Sequence, residues 1–267
     1  MSSEHIQESI RPGMLLRKPA GEWVETAEHL KGFGGFHGGL ALGMLSSAMS
    51  AHVPGLQLQS ITGRFGRIID GGFGIESALV RSGRTSSTVS AKAESPKGVH
   101  LEATGVFSVP GEQRWPLVAP KPPQAPPPED CEVFAIPKEF VPISQSMEIR
   151  PVGSARPYAG GPEPELVAWI RLLEDDEAPD AARFVFLMDA LAPSYAAMLS
   201  ELVFVPTVEL TVRPGEGLAT ATSPWILLRA STLAATSGGW IDEQIDAWGL
   251  DGTHLGTAHQ LRVVRKI

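Results

Sequence analysis

Residues 38–52 read GGLALGMLSSAMSAH. Leu40, Met44, Leu45, Ala48 and Met49 recur at helical spacing and small residues occupy most other positions, so a helix here is buried nearly all the way round. Four alternating, strand-like segments follow it: LQLQSITGRFGRII at 56–69, GFGIESALVR at 72–81, TSSTVSAKAES at 85–95 and GVHLEATGVFSV at 98–109. Asp70-Gly71-Gly72, Ser82-Gly83 and Pro96-Lys97-Gly98 supply the turn chemistry between them. The first half therefore reads as one buried helix and an antiparallel meander.

The order then recurs. ELVAWIRLL (165–173) reads as a strand, and Pro179 to about Leu191 as a helix with Phe184, Leu187, Met188 and Leu191 inward. Strands TVELTVR (207–213), WILLRASTLAAT (225–236), WIDEQIDAWG (240–249) and HLGTAHQLRVV (254–264) complete it. HLEATGVFSV from His100 and HLGTAHQLRV from His254 open alike, which points to a duplication with a period of about 150 residues. Aligning the His-Leu pairs matches Gln260 with Val106.

Proline is dense from 109 to 142, VPGEQRWPLVAPKPPQAPPPEDCEVFAIPKEFVP, which disfavours helix interiors and central strands. The expected division is a first domain at 1–112, a proline-rich linker at 113–150 and a second domain at 151–267. Helices and strands do not alternate, so a Rossmann order is excluded. A curved antiparallel sheet around a long buried helix, twice over, is an α+β double hot-dog.

Composition narrows the function. A net charge of −8 argues against a nucleic-acid partner, because phosphate neutralisation needs clustered Lys and Arg. The single cysteine, Cys131, excludes an intrachain disulfide and a thiolate zinc site, and fits a reducing, cytoplasmic setting. MSSEHIQESIRPG at the start has no apolar core of a signal peptide, and no apolar run reaches the length of a membrane span.

Familiar motifs are excluded in turn. KGFGGFHGGLALG places His37 where a dinucleotide fingerprint needs its third glycine, and no strand precedes it. No Walker loop or GxSxG elbow occurs. His254 and His259 alternate to opposite strand faces, so they cannot clamp a metal together. The run Glu174, Asp175, Asp176, Glu177 reads as a solvated turn before a helix. No metal or organic cofactor is expected.

Three segments, FHGGLALGMLSSAM, FLMDALAPS and VPTVELTVR, with GTAHQLRVV closing the chain, resemble in their order the TesB-like acyl-CoA thioesterases. That resemblance implies a double hot-dog hydrolysing fatty acyl-CoA to free acid and CoA, with a water positioned by an Asp, a Thr and a Gln of the second half. Carried over segment by segment, these fall on Asp189, Thr207 and Gln260. Glu209 and Leu210 stand where members often carry Asp-His, and Leu40 where Gln often follows the paired glycines.

The residues suit the roles. Asp189, among Leu187, Met188, Ala190 and Leu191, is expected to accept a proton better than a solvated carboxylate; the competing reading is a surface Asp near a helix end. Thr207 and Gln260 can hold and aim a water, while ordinary strand propensity and a solvent-facing amide are their bland alternatives. Gly38 and Gly39 allow close approach of substrate to the start of the first helix, with the Gly39 N–H as oxyanion donor and His37 beside it as a binding or capping group.

Two other functions compete. A binding protein could keep the acyl-CoA cavity without turnover, as Glu209 and Leu40 allow. A hot-dog enoyl-CoA hydratase would use Asp and His with an Asn-bearing loop, and the sequence contains no asparagine. Sheet edges call for cover, so a homo-oligomer, dimer or higher, is expected.

Overall fold

The computed structural model describes residues 10–18, 20–111 and 115–265. The N-terminal reading at 1–13 thus falls largely outside the described residues. Helix α1 (Pro12–Leu16) precedes α2 (Gly38–Ser50), then come β1 (Gln57–Phe65), β2 (Gly74–Ser82), β3 (Ser86–Ser95) and β4 (Gly98–Ser108). The second half comprises β5 (Met147–Pro151), β6 (Glu165–Leu172), α3 (Ala181–Leu187), β7 (Thr207–Pro214), β8 (Ile226–Ala235), β9 (Trp240–Gly249) and β10 (His254–Val263).

The fold is the expected double hot-dog, with its two sheets joined edge to edge into ten strands in the order β2-β3-β4-β1-β7-β10-β9-β8-β6-β5. The seam is β1 against β7, antiparallel, with Thr62 opposite Thr211 and their hydroxyls 2.9 Å apart. Helices α2 and α3 pack against each other and against the sheet, α2 on β1 to β4 and α3 on β7. Ten residues of α2 are buried, from Gly39 to Met49, and Gly43 lets α3 approach: a Cβ there would lie 2.8 Å from the Ala182 carbonyl oxygen.

Helix α3 is shorter than its apolar pattern predicts. Its N-cap is Asp180, whose carboxylate accepts the Arg183 N–H at 2.8 Å, and it ends at Leu187 with Met188 as C-cap. Arg183 to Leu187 are all buried, not one stripe. The acidic run is likewise not a wholly solvated turn. Glu174 accepts the Gly13 N–H at 3.0 Å, tying α1 down, and Asp175 takes both Nη atoms of buried Arg183 at 2.6 and 2.9 Å.

The proline-rich stretch runs along the second half and is held by side chains. The Trp169 and Trp248 indole N–H groups donate to the carbonyls of Pro126 and Pro120, and Arg150 donates to those of Pro128 and Cys131. Strand β5 emerges from its end as a sheet-edge strand, which proline density had masked.

Symmetry about the seam identifies equivalent positions. If Thr62 corresponds to Thr211, Ile61 corresponds to Leu210, and their outer neighbours are Gly105 and Gln260. Gly105, not Val106, is therefore the counterpart of Gln260; the skipped residues His100 of β4 and Leu255 of β10 also correspond, so matching the two His-Leu pairs sets the halves one residue out of register. Both halves also carry a bulge at the same place. Gln59 is skipped between Leu58↔Phe107 and Ser60↔Val106, and Val208 between Thr207↔Arg262 and Glu209↔Leu261.

Candidate active site

The bulge at Val208 matters because it breaks strict alternation along β7. Leu210 and Val212 point into the core, so unbroken alternation would turn Thr207 outward; the extra residue returns it to the inner face. There its Oγ1 accepts from Arg262 Nη1 at 2.8 Å. Inward positions on β10 are Ala258, Gln260 and Arg262, all at most 5% exposed.

Asp189 follows the C-cap of α3 and its side chain is 11% exposed. Its Oδ2 accepts the Gly39 N–H at 2.8 Å, and its Oδ1 accepts from Gln260 Nε2 at 2.6 Å. The carboxylate thus sits on the positive end of α2, an element of the other half. Only a glycine permits this seat, because a Cβ on residue 39 would lie 2.5 Å from Asp189 Cβ and 2.8 Å from the Phe186 carbonyl oxygen.

Gln260 Oε1 is buried and has no hydrogen-bond partner among the described residues. A buried acceptor left unmade costs about 1–3 kcal/mol, so an orphan at this place marks a position for a donor.

Around this pair lie groups the sequence reading did not single out. Arg262 Nε donates to Glu243 Oε2 at 2.6 Å, and its Nη2 lies 3.9 Å from Asp189 Oδ1. Glu243, fully buried, also accepts the Ser194 N–H, which anchors the loop that follows Asp189. Their signal was positional: Arg262 is two residues beyond Gln260 on one face, and Glu243 is directly opposite Gln260 on β9.

His37 is the N-cap of α2, its Nδ1 accepting the Leu40 N–H at 3.2 Å. Its ring stands edge-on to Phe186, centroids 5.3 Å apart. Burial lowers its pKa below the ordinary histidine value, and the nearby Asp189 only partly offsets that. The neutral ring therefore presents Nδ1 as acceptor. Gly38 stands beside the carboxylate, with Phe65 packed against it.

The structure thus brings Asp189, Gln260 and Gly39 into direct contact, and joins Thr207 to them through Arg262. The Gly39 N–H, expected to meet an oxyanion, is instead committed to Asp189. Glu209 pairs with Arg64 across the seam at 2.8 Å, and Leu40 is a core residue. A groove of about 370 Å³ lined by Arg64, Phe65, Val99, Val208 and Leu261 opens nearby; Asp189, Thr207 and Gln260 do not line it, but Phe65 is common to the groove and to Gly38. Among the described residues no cluster of His, Cys, Asp and Glu could hold a metal ion, and no helix is long and apolar enough to cross a membrane.

Fold and site together define a double hot-dog protein with one hydrogen-bonded carboxylate centre held between its halves. Residues 26–108 match the model of the acyl-CoA thioesterase N-terminal domain and residues 122–264 that of the acyl-CoA thioesterase C-terminal domain, so the chain belongs to the acyl-CoA thioesterase family, whose reaction is hydrolysis of the acyl-CoA thioester.

Solved structures agree in fold. A hot-dog protein of unknown function from Alicyclobacillus acidocaldarius is 24% identical over 92% of this chain and 93% of that one, with a TM-score of 0.82. A putative thioesterase II from Thermobifida fusca is 22% identical over 96% and 98%, also at 0.82. The acyl-CoA thioesterase II TesB2 of Mycobacterium marinum is 18% identical over 86% and 89%, at 0.69. No curated protein matches.

Proposed function

We propose that Asp189 is the general base of acyl-CoA hydrolysis, with Gln260 and Thr207 orienting the water. The observation that carries this is the part-buried Asp189–Gln260 bond of 2.6 Å beside a buried Gln260 Oε1 that has no hydrogen-bond partner among the described residues. Each Asp189 oxygen accepts one bond and retains capacity for another. A water can therefore donate one proton to Asp189 and the other to Gln260 Oε1 while accepting the Thr207 hydroxyl proton.

Asp189 takes a proton as the water oxygen bonds to the thioester carbonyl carbon; the tetrahedral intermediate then breaks its C–S bond, releasing the fatty acid, and the departing CoA thiolate takes the proton back from Asp189. His37, Gly38 and Gly39 form the wall against which the acyl-CoA rests. Family membership favours this hydrolase over the binding-only and hydratase alternatives.

Thiol release from a panel of acyl-CoAs tests the assignment. Asp189→Asn keeps the shape and removes the base, and kcat should fall by about 10²–10⁴ with the fold intact; a folded variant with wild-type turnover rejects the base.

A cytoplasmic setting and self-association belong to the same proposal. The half-exposed Leu79 and largely exposed Val80 on the edge strand β2 support the latter, and light scattering of the purified chain reads it directly.

A further inference from the structure

The seam symmetry supplies an internal control for the polar residues of the site. In the second half, four clustered inward positions are Thr207, Glu243, Gln260 and Arg262; their first-half counterparts are Leu58, Val89, Gly105 and Phe107, matched through the same strand pairings. Leu58, Val89 and Phe107 are buried core residues. The fold therefore needs no charge at these places. A buried ion pair is weak support for stability, since apolar residues of like volume often do as well, so the Arg262–Glu243 pair calls for a reason other than folding.

The guanidinium geometry suggests one. Three of its nitrogens face three different groups: Nε meets Glu243 Oε2 at 2.6 Å, Nη1 meets Thr207 Oγ1 at 2.8 Å, and Nη2 lies 3.9 Å from Asp189 Oδ1. By donating to Thr207 Oγ1, Arg262 occupies one acceptor site of that hydroxyl and forces its proton toward a different acceptor. Glu243 in turn fixes the fork, and through the Ser194 N–H it fixes the loop after Asp189.

We infer that Arg262 is a positioning residue of the thioesterase reaction, holding the Thr207 hydroxyl as a donor to the water that Asp189 and Gln260 bind. This rests on the reading of that water site given above. Lysine cannot replace it, because one ammonium nitrogen cannot reproduce a planar fork reaching Glu243 and Thr207 together.

The test is a kinetic cycle on the full chain. Arg262→Lys retains a cation opposite Glu243 but loses the fork, and Arg262→Gln with Glu243→Gln removes both charges at once so that neither is left buried alone. Each should lower kcat at least about tenfold with KM within about twofold, the pattern of a group felt in the transition state. Adding Thr207→Ala to either should cause no further loss beyond Thr207→Ala itself. Wild-type kcat in folded Arg262→Lys, or losses that multiply with Thr207→Ala, overturns the inference. Asp189→Asn is measured alongside: retained activity there removes the base assignment, while the cycle still reads the coupling of Arg262 to Thr207.

Discussion

Gly39→Ala is a one-methyl perturbation aimed at the seat of the carboxylate. The new Cβ would stand 2.5 Å from Asp189 Cβ and 2.8 Å from the Phe186 carbonyl oxygen, against ordinary contact from 3.4 Å. Neither neighbour is the free end of a flexible side chain, so α2 and residue 189 must separate by about 3.4 − 2.5 = 0.9 Å. Added to the 2.8 Å bond from Gly39 N to Asp189 Oδ2, this breaks it. Overpacking costs about 1–3 kcal/mol and a charge-assisted bond about 1.5–3 kcal/mol, so a loss of about 3 kcal/mol is expected. For a chain of this size that lowers Tm by about 6 °C or more. Misplacement of a base by about 1 Å costs about a hundredfold in turnover. Calorimetry and thiol release measure the two effects, with Gly71→Ala as control because a Cβ there meets nothing within 4 Å. A Gly39→Ala protein with unchanged Tm and kcat would refute the seating of Asp189 on α2.

Two further outcomes follow from the charges. His37 has a folded pKa below the unfolded 6.5, so its contribution is complete above pH 6.5 and is lost as pH falls below it, where the unfolded state takes up the proton first. Denaturant midpoints between pH 8 and 5 should show this fall, and His37→Gln, which keeps a capping acceptor, should flatten it. Arg183→Met strips a buried cation from Asp175, whose pKa the Arg183 guanidinium holds down at about 2. The cost of breaking a buried pair, about 3–5 kcal/mol, is reduced to about 2 kcal/mol because the Asp175 side chain is 32% exposed. The stability that wild type holds above pH 3.8 and loses as pH falls toward 2 should be missing from this variant in acid titrations followed by circular dichroism.

Much of the fold could be read from local pattern. The runs at 85–95 and 98–109, and those at 240–249 and 254–264, match their strands to within a residue because glycine-bearing turns bound them. Helix α3 was overestimated since Met188, Ala190 and Leu191 continue an apolar rhythm after the backbone has turned to seat Asp189 on α2. Strand β5 was missed because it begins just past a stretch of prolines. The bulges are the deeper failure: a skipped residue at Val208 or a shift beside Gly256 leaves no mark in composition, yet it decides which side chains face inward. Val106 falls on Gln260 only when the two His-Leu pairs are matched, whereas the shared bulge makes His100 the counterpart of Leu255. Asp189, Thr207 and Gln260 were reached by family resemblance, whereas Arg262 and Glu243 stayed unassigned because single-chain pattern cannot reveal that two opposite charges neutralise each other inside.

The apolar set Leu58, Val89, Gly105 and Phe107 has a bearing on stoichiometry. A perfectly symmetric duplication would present two reaction centres, one on each side of the seam. On the proposed site one side has kept the packing and the other the chemistry, so each polypeptide would amount to a single turnover unit, and active-site titration should saturate at one equivalent per chain.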